Sequence, residues 1–197
     1  MAIVNGYCTL AEARAWLGIG TSDTVDDAVI EAIAEEVSRW IDSYCSRRFY
    51  KNSSDETRYY TAINDYVTET DDIVSITTLK TDNDGDGVFE STWETDNYIL
   101  WPYNGQEPYQ RVEVNKGSMT YLFPRSKKGV QVVGVFGWSS VPTQIRRACV
   151  MQTARIFKRQ DAIFGIAGSS AMGEMTISMP GLDSDVERLL NLYRRVY

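Results

Sequence analysis

The sequence contains no histidine. Histidine is the base of Ser-His-Asp triads and Cys-His dyads, a common metal ligand, and the side chain whose ordinary pKa lies nearest to neutral pH. Its absence excludes triad hydrolases, histidine-ligated metal enzymes and imidazole-based pH switches. No acidic pair has a second convergent group beside it in the sequence, so we expect a protein that is not an enzyme.

Cysteine and long apolar runs are also scarce. Cys8, Cys45 and Cys149 are odd in number and form no C-x-x-C pair, which favours buried thiols over a zinc ribbon or a disulfide framework. No apolar run reaches the roughly 18 residues that span a bilayer, and the first residues lack the basic and apolar blocks of a signal peptide. We therefore expect a chain without a membrane segment that is made and kept in a cytosol.

The remaining composition is that of a folded globular protein. The 197 residues are 43% hydrophobic and 24% charged, and the net charge of −7 disfavours a surface that binds nucleic acid as a whole. The charge is uneven, because residues 1–140 carry 12 basic and 22 acidic side chains, whereas residues 141–197 carry 8 and 5. Two distinct contact surfaces and an ordinary uneven solvated surface both explain this distribution.

Two helices are predicted near the N-terminus. Thr9 and Glu12 form a capping box, Gly18 ends the first helix, and Ala13, Trp16 and Leu17 form its apolar face. The second helix follows Ser22 or Asp23 and continues to about Ser46, because apolar residues recur every three or four positions. That apolar face comprises Val25, Val29, Ile33, Val37, Trp40, Ile41 and Tyr44. The opposite face is acidic, with Asp26, Asp27, Glu31, Glu35 and Glu36.

Residues 51–140 have the pattern of a small antiparallel sheet. Short β-rich runs alternate there with clusters of Gly, Asn, Asp and Pro. The runs are Thr57 to Ala62, Ile73 to Lys80, Tyr98 to Leu100, Arg111 to Val114 and Val130 to Phe136.

Helical periodicity returns after this block. One helix is predicted from Pro142 to about Gln160, and a last helix is capped by Asp183 or Ser184. A glycine-rich loop, 165–173, and a short extended piece, 174–179, separate the two. We predict an α+β fold in a single domain, 1–197, in which a helical bundle of about four helices is interrupted by an antiparallel β insertion. The helical core is 1–50 and 141–197, and the insertion is 51–140.

One turn has part of a calcium-binding pattern. Asp82, Asp84 and Asp86 stand at positions 1, 3 and 5 of such a loop, and Gly87 stands at position 6. Position 12, which should be a bidentate Glu, is Trp93. Because the flanking segments are predicted strands, a tight Asp-Gly turn explains the same residues without a cofactor. Bound calcium at these three aspartates and a simple turn both remain open.

Two further groups of residues have two interpretations each. An aromatic cluster in the β block is either a stacking platform or core packing; it comprises Trp93, Tyr98, Trp101, Tyr103 and Tyr109. Five cations on the helix after Pro142 form either a solvated face or a partner-binding face; they are Arg146, Arg147, Arg155, Lys158 and Arg159.

The order of several short segments resembles the head-tail connector, or adaptor, proteins of tailed bacteriophages, over nearly the full length of the chain. The most specific segments are the helix end I-D-S-Y-C-S-R-R-F and the junction F-G-W-S-S-V-P-T-Q-I. The full set is 7–13, 37–49, 72–76, the D-N-D-G-D-G turn with Trp93, 97–100 and 133–145. The long β insertion departs from the short, mostly helical members of that family.

The resemblance implies a structural virion protein at the neck. Such adaptors form a ring, usually a dodecamer, that docks under the portal protein and presents a platform to a downstream connector, stopper or tail protein. Genome DNA would pass through the channel without specific binding, as an acidic body favours. C-terminal segments of these adaptors commonly engage the portal. The predicted portal-binding residues are therefore Arg146, Arg147, Arg155, Lys158, Arg159, Arg188, Arg194 and Arg195.

A second function class fits part of the sequence. A calcium-stabilised binding module could use the aromatic β block to recognise a glycan or a protein. Mass in solution with and without chelator separates the two, because an adaptor forms a ring alone or on a portal, whereas the module would be a calcium-dependent monomer.

Overall fold

The computed structural model describes residues 3–118, 121–159 and 183–195. The described residues form four helices and a six-stranded antiparallel sheet, which confirms the predicted α+β class. The chain divides into two compact units, which we call the helical unit, Met1–Ser46 with Val141–Tyr197, and the β unit, Arg47–Ser140. The predicted glycine-rich loop, 165–173, and extended piece, 174–179, lie outside the described residues.

Helix α1, Leu10–Leu17, has the predicted caps. The backbone amide of Glu12 donates to Thr9 Oγ1 over 3.2 Å, and the amide of Thr9 donates to Glu12 Oε2 over 2.8 Å. Gly18 ends the helix in the left-handed region with φ 75°, where a residue without Cβ is unstrained. Ala13 is fully buried, but Trp16 is 51% exposed, so the predicted apolar face of α1 is wrong at the tryptophan.

Helix α2, Asp27–Cys45, begins after Asp26 rather than at the predicted Ser22 or Asp23 cap, and it buries Val37 and Ile41 of the predicted apolar face. The buried positions are Ile30, Ala34, Val37, Ser38, Ile41 and Cys45. Val25 and Val29 are 87% and 41% exposed, so the prediction is wrong at these two valines. Small side chains at Ala34 and Ser38 allow the next helix to approach closely, and its Cys149 Sγ lies 3.6 Å from Ser38 Oγ.

Helix α3, Thr143–Arg159, packs against both α1 and α2. Its buried residues are Ile145, Ala148, Cys149, Val150, Gln152, Thr153, Ala154 and Phe157. All three cysteines are buried, as predicted, and Cys149 Sγ lies 3.1 Å from Cys8 Sγ. Burial of these small apolar thiols is part of the packing of the helical unit.

Helix α4, Ser184–Asn191, begins at the predicted cap, because the Asp183 side chain accepts from the amide of Asp185. Val186 and Leu190 are fully buried against α2 and α3. The chain is also tied to the end of α2, where the amide of Arg195 donates to the carbonyl of Cys45 over 2.9 Å. Helix α4 is therefore part of the core of the helical unit. None of the helices in the described ranges has the length and hydropathy needed to cross a membrane.

The β unit is one antiparallel sheet with strand order β1-β6-β2-β5-β4, and β3 also pairs with β2. The strands are β1 Glu56–Tyr60, β2 Val67–Thr81, β3 Ser91–Trp93, β4 Tyr98–Trp101, β5 Tyr109–Val114 and β6 Val130–Phe136. Two short 3-10 turns, Thr95–Asn97 and Lys116–Ser118, lie beside β4 and after β5. Strand β6 alternates buried and half-buried residues, so one face of the sheet covers a core. That core comprises Ala62, Ile73, Leu79, Trp93, Val112, Val114, Phe123, Val130, Val132 and Phe136.

Candidate functional site

A buried polar cluster joins the beginning and the end of the β unit. Asp72 lies at its centre: Arg47 Nη2 is 3.7 Å from Asp72 Oδ1, and the Trp138 indole donates to Asp72 Oδ2 over 3.0 Å. The Arg47 guanidinium also lies 5.8 Å from the centre of the Trp138 ring. These three residues come from three of the segments that carry the phage resemblance. The structure therefore gives those segments a shared role, which is to close the β unit.

Gly137, in the F-G-W junction, is required by the same closure. Its φ is 107°, and a Cβ added there would lie 1.9 Å from the carbonyl oxygen of Tyr50. Its amide donates to the carbonyl of Asp72 over 2.7 Å. A side chain at this position would force apart the two chain segments that enter and leave the β unit.

The acidic turn brings four carboxylates together. Ligand oxygens of Asp82, Asp84, Asp86 and Glu90 all lie within 4.8 Å of one another. Calcium binds oxygen at about 2.3 to 2.6 Å, so oxygens at this separation can share one ion. These four residues could therefore hold calcium, with Glu90 in addition to the three predicted aspartates.

The same turn also satisfies its own backbone. Asp82 accepts from the amides of Gly85 over 2.7 Å and Gly87 over 2.9 Å, and Asp86 accepts from the amide of Val88 over 2.8 Å. Burial opposes ionisation of Asp82, but the hydrogen bonds from Gly87 and Gly85 outweigh it and lower the pKa of that carboxyl. The turn is thus stabilised by its side chains without requiring an ion.

The aromatic residues of the β unit are mainly packing residues. Trp93 is 4% exposed and stacks on Phe123 with ring centres 4.6 Å apart. Tyr98 and Tyr109 pack against the same core, while Tyr103 is exposed and donates to Glu113 over 2.9 Å. The structure therefore favours core packing for most of the predicted aromatic cluster.

The predicted portal-binding residues do not form one cluster of shared contacts, because four of them contact different parts of the helical unit. Arg146 pairs with Glu12 of α1 at 3.6 Å, and Arg155 pairs with Asp183 at 3.1 Å. The Arg194 guanidinium lies 5.5 Å from the centre of the Tyr44 ring, and the Arg195 amide is bound to the end of α2. Within the described part of the chain, no ion pair involves the other four, which are Arg147, Lys158, Arg159 and Arg188.

A groove between α1 and α3 was not predicted. It has a volume of about 410 Å³ and is lined by Glu12, Ala15, Trp16, Thr143, Arg146, Arg147 and Val150. The two helices are far apart in sequence, so periodicity within either helix does not reveal the groove. The one local signal is Trp16, a large apolar side chain on a helix of only eight residues.

No protein-family model and no curated protein matches this sequence. Solved structures match its fold over the whole chain. A chain in the neck of the empty GTA particle, computed with C6 symmetry, has a TM-score of 0.58 at 17% identity and is covered to 94%. A chain in the neck of the native GTA particle, computed with C12 symmetry, has a TM-score of 0.55 at 17% identity and is covered to 93%.

A third match belongs to the virion of the native gene transfer agent (GTA) particle. Its TM-score is 0.55 at 18% identity, and 94% of that chain is covered. All three matches cover 100% of the present chain. The chain therefore has a similar fold to these particle proteins.

Proposed function

We propose that this chain is a structural virion protein, a head-tail adaptor of the neck that docks as a ring under a portal protein. The ring would join the DNA-filled head to the tail or to the next connector protein. The observation that carries this proposal is the full-length fold likeness to chains from particle necks. Those necks were computed with C6 and with C12 symmetry, which supports a ring, and twelve copies is the proposed number.

The contacts of the β unit give independent support. The segments of the phage resemblance are widely separated in sequence, yet Arg47, Asp72 and Trp138 from three of them meet in one buried cluster. Their order along the chain is therefore tied to one three-dimensional arrangement. A resemblance due to composition alone would have no reason to converge in this way.

The charge distribution fits a channel protein. Residues 1–140 are strongly acidic, and an acidic lining repels the phosphate backbone, so DNA would pass without adhering. The proposed activity is assembly and not catalysis.

Docking on the portal is proposed for the net-basic C-terminal third. Arg147, Lys158 and Arg188 are exposed and have no ion pair among the described residues, so they are the cations best able to meet an acidic partner. Deletion of α4 is a poor test, because Val186 and Leu190 belong to the core. Reversal of Lys158 and Arg188 to Glu, which leaves Arg147 of the groove between α1 and α3 unchanged, should weaken portal binding without unfolding the chain. An unchanged portal affinity at physiological salt would show that docking uses another surface.

Loss of the protein tests the proposed function directly. Particles made without it should be filled heads that leak DNA and lack tails. Normal infectious particles from the null mutant would refute the adaptor role.

A further inference from the structure

The groove between α1 and α3 has the features of a contact surface. Trp16 is 51% exposed in it, beside Ala15 and Val150, so its floor is largely apolar. Arg146 and Arg147 stand on its rim. Tryptophan and arginine are the side chains that most often dominate binding energy at protein interfaces.

The rim carries uncompensated positive charge. Arg146 is partly neutralised by Glu12 at 3.6 Å, whereas Arg147 has no ion pair among residues 3–118, 121–159 and 183–195. An exposed guanidinium beside an exposed indole favours an occupant that is apolar at its centre and acidic at its edge.

The same unit presents such a surface on α2. Val29, Ala32 and Glu36 follow one another at three- and four-residue steps, so they lie along one side of α2, opposite its buried positions. Val25 stands in the turn just before the helix, and all four residues are exposed. We call these residues the valine stripe. Neither Glu36 nor the neighbouring Asp26 has an ion pair within the part of the chain that the structure describes.

The groove and the valine stripe do not meet within one copy. On α1, Arg14 reaches Asp27 at the start of α2 over 3.2 Å. The groove residues Ala15 and Trp16 follow Arg14 directly in the sequence, so they lie about 100° and 200° around α1 from it. They are therefore on a different side of α1 from the side that meets the start of α2. One copy can therefore offer its groove to one neighbour and its stripe to another.

We propose that the groove of one copy receives the valine stripe of a second copy. Charge complementarity supports this occupant, since the segment that carries the stripe, 25–36, has five acidic side chains and no basic one, opposite in sign to the arginine rim. A contact between two different surfaces of the same chain is heterologous, and repetition of such a contact closes a ring when the rotation between neighbouring copies is a whole fraction of a full turn. The inference rests on the proposed ring and specifies the contact that would build it.

Cross-linking between copies tests the contact. Thr143→Cys places a thiol on the groove rim, and Ala32→Cys places one on the stripe, while the three natural cysteines are buried. With a short bismaleimide, a mixture of the two single variants should give a dimer, and the variant that carries both changes should give a ladder of higher multimers. Each single variant alone should give only background.

Two further changes test the chemistry of the contact in that double-cysteine variant. Trp16→Ala should remove the ladder, whereas Leu192→Ala, which changes an exposed leucine outside both surfaces, should leave it intact. Arg147→Gln should reduce the association constant about fivefold, as expected for loss of one exposed ion pair.

Several outcomes overturn the inference. One is a mixture that yields no more dimer than the single variants do. Another is a Thr143→Cys thiol that maleimide cannot reach in the monomer, which would mean that the chain's own residues fill the groove. A ring of the expected mass without the cross-link would overturn this contact and leave the proposed function standing. A chain that remains monomeric even with portal protein would contradict both.

Discussion

The steric demand at Gly137 gives a quantitative prediction for Gly137→Ala. Two effects should destabilise the variant. Alanine is strained at φ 107°, which costs about 1 to 2 kcal/mol, and its Cβ would lie 1.9 Å from the Tyr50 carbonyl oxygen. Relieving that overlap requires the two segments to separate, which costs about 1 to 3 kcal/mol in a packed structure.

One effect works in the other direction. Alanine restricts the unfolded chain more than glycine does, which raises the free energy of unfolding by about 0.4 to 1 kcal/mol. The expected net loss in the free energy of unfolding is therefore about 1 to 4.5 kcal/mol. With a urea dependence of about 2 kcal/mol per molar, the unfolding midpoint should fall by about 0.5 to 2 M.

Gly87→Ala is the matched control. Gly87 lies in the same unit and also has a positive φ, 90°, but no atom lies within 4 Å of its added Cβ. Gly87→Ala should therefore lower the free energy of unfolding only through backbone strain, by about 1 kcal/mol. Both variants are compared with the wild type in urea by circular dichroism of the β-sheet signal, with chelator present so that ion binding at the acidic turn does not contribute. Equal losses for the two variants would refute the steric reasoning at Gly137.

Three other predictions concern the acidic turn, the thiols and α4. If the turn binds calcium, free calcium at ten times the dissociation constant should stabilise the protein by about 1.4 kcal/mol and raise its melting temperature. The double variant Asp84→Asn with Asp86→Asn should abolish that rise. Melting curves that calcium does not change would show that the segment is a simple turn. A hydrogen bond with Cys149, together with burial, raises the pKa of the Cys8 thiol. An aromatic disulfide reagent at pH 8 should therefore react with Cys8 no faster than the protein unfolds. Rapid reaction would contradict the buried position of this thiol. Leu190→Ala should cost about 2 to 5 kcal/mol because Leu190 is fully buried, and a loss below about 0.5 kcal/mol in urea titrations would show that α4 is not part of the core.

Helix positions could be predicted from the sequence because their signals are local. The capping box of Thr9 and Glu12, the terminating Gly18 and the cap at Asp183 each act within a few residues, and each lies where it was predicted. The aspartates of the acidic turn could be identified for the same reason, since they alternate with other residues within one short segment.

Burial was harder to predict because it depends on distant partners. The apolar spacing of α2 fits more than one stripe, and the approach of α3 selects the one that contains Ala34 and Ser38 and leaves Val29 exposed. Strand β2 begins at Val67, whereas the predicted run began at Ile73. The prediction missed the first residues because Thr68 and Thr70 are buried but polar, so they add nothing to an apolar pattern. Strand β3 has only three residues, too few for a periodic pattern.

The candidate surfaces were also hard to predict, because they too depend on contacts between residues that are distant in sequence. The arginines of α3 could be identified as a basic group, but the ion pair of Arg146 with Glu12 joins residues more than a hundred positions apart. The groove is also built from both ends of the chain, so no local pattern marks it.

Electron microscopy of the purified protein mixed with purified portal protein tests the central claim most directly. The account predicts two-dimensional averages that show a ring of twelve copies beneath the portal, with an open axial channel. Portal particles without added density, together with a protein that remains monomeric in the same mixture, would contradict it.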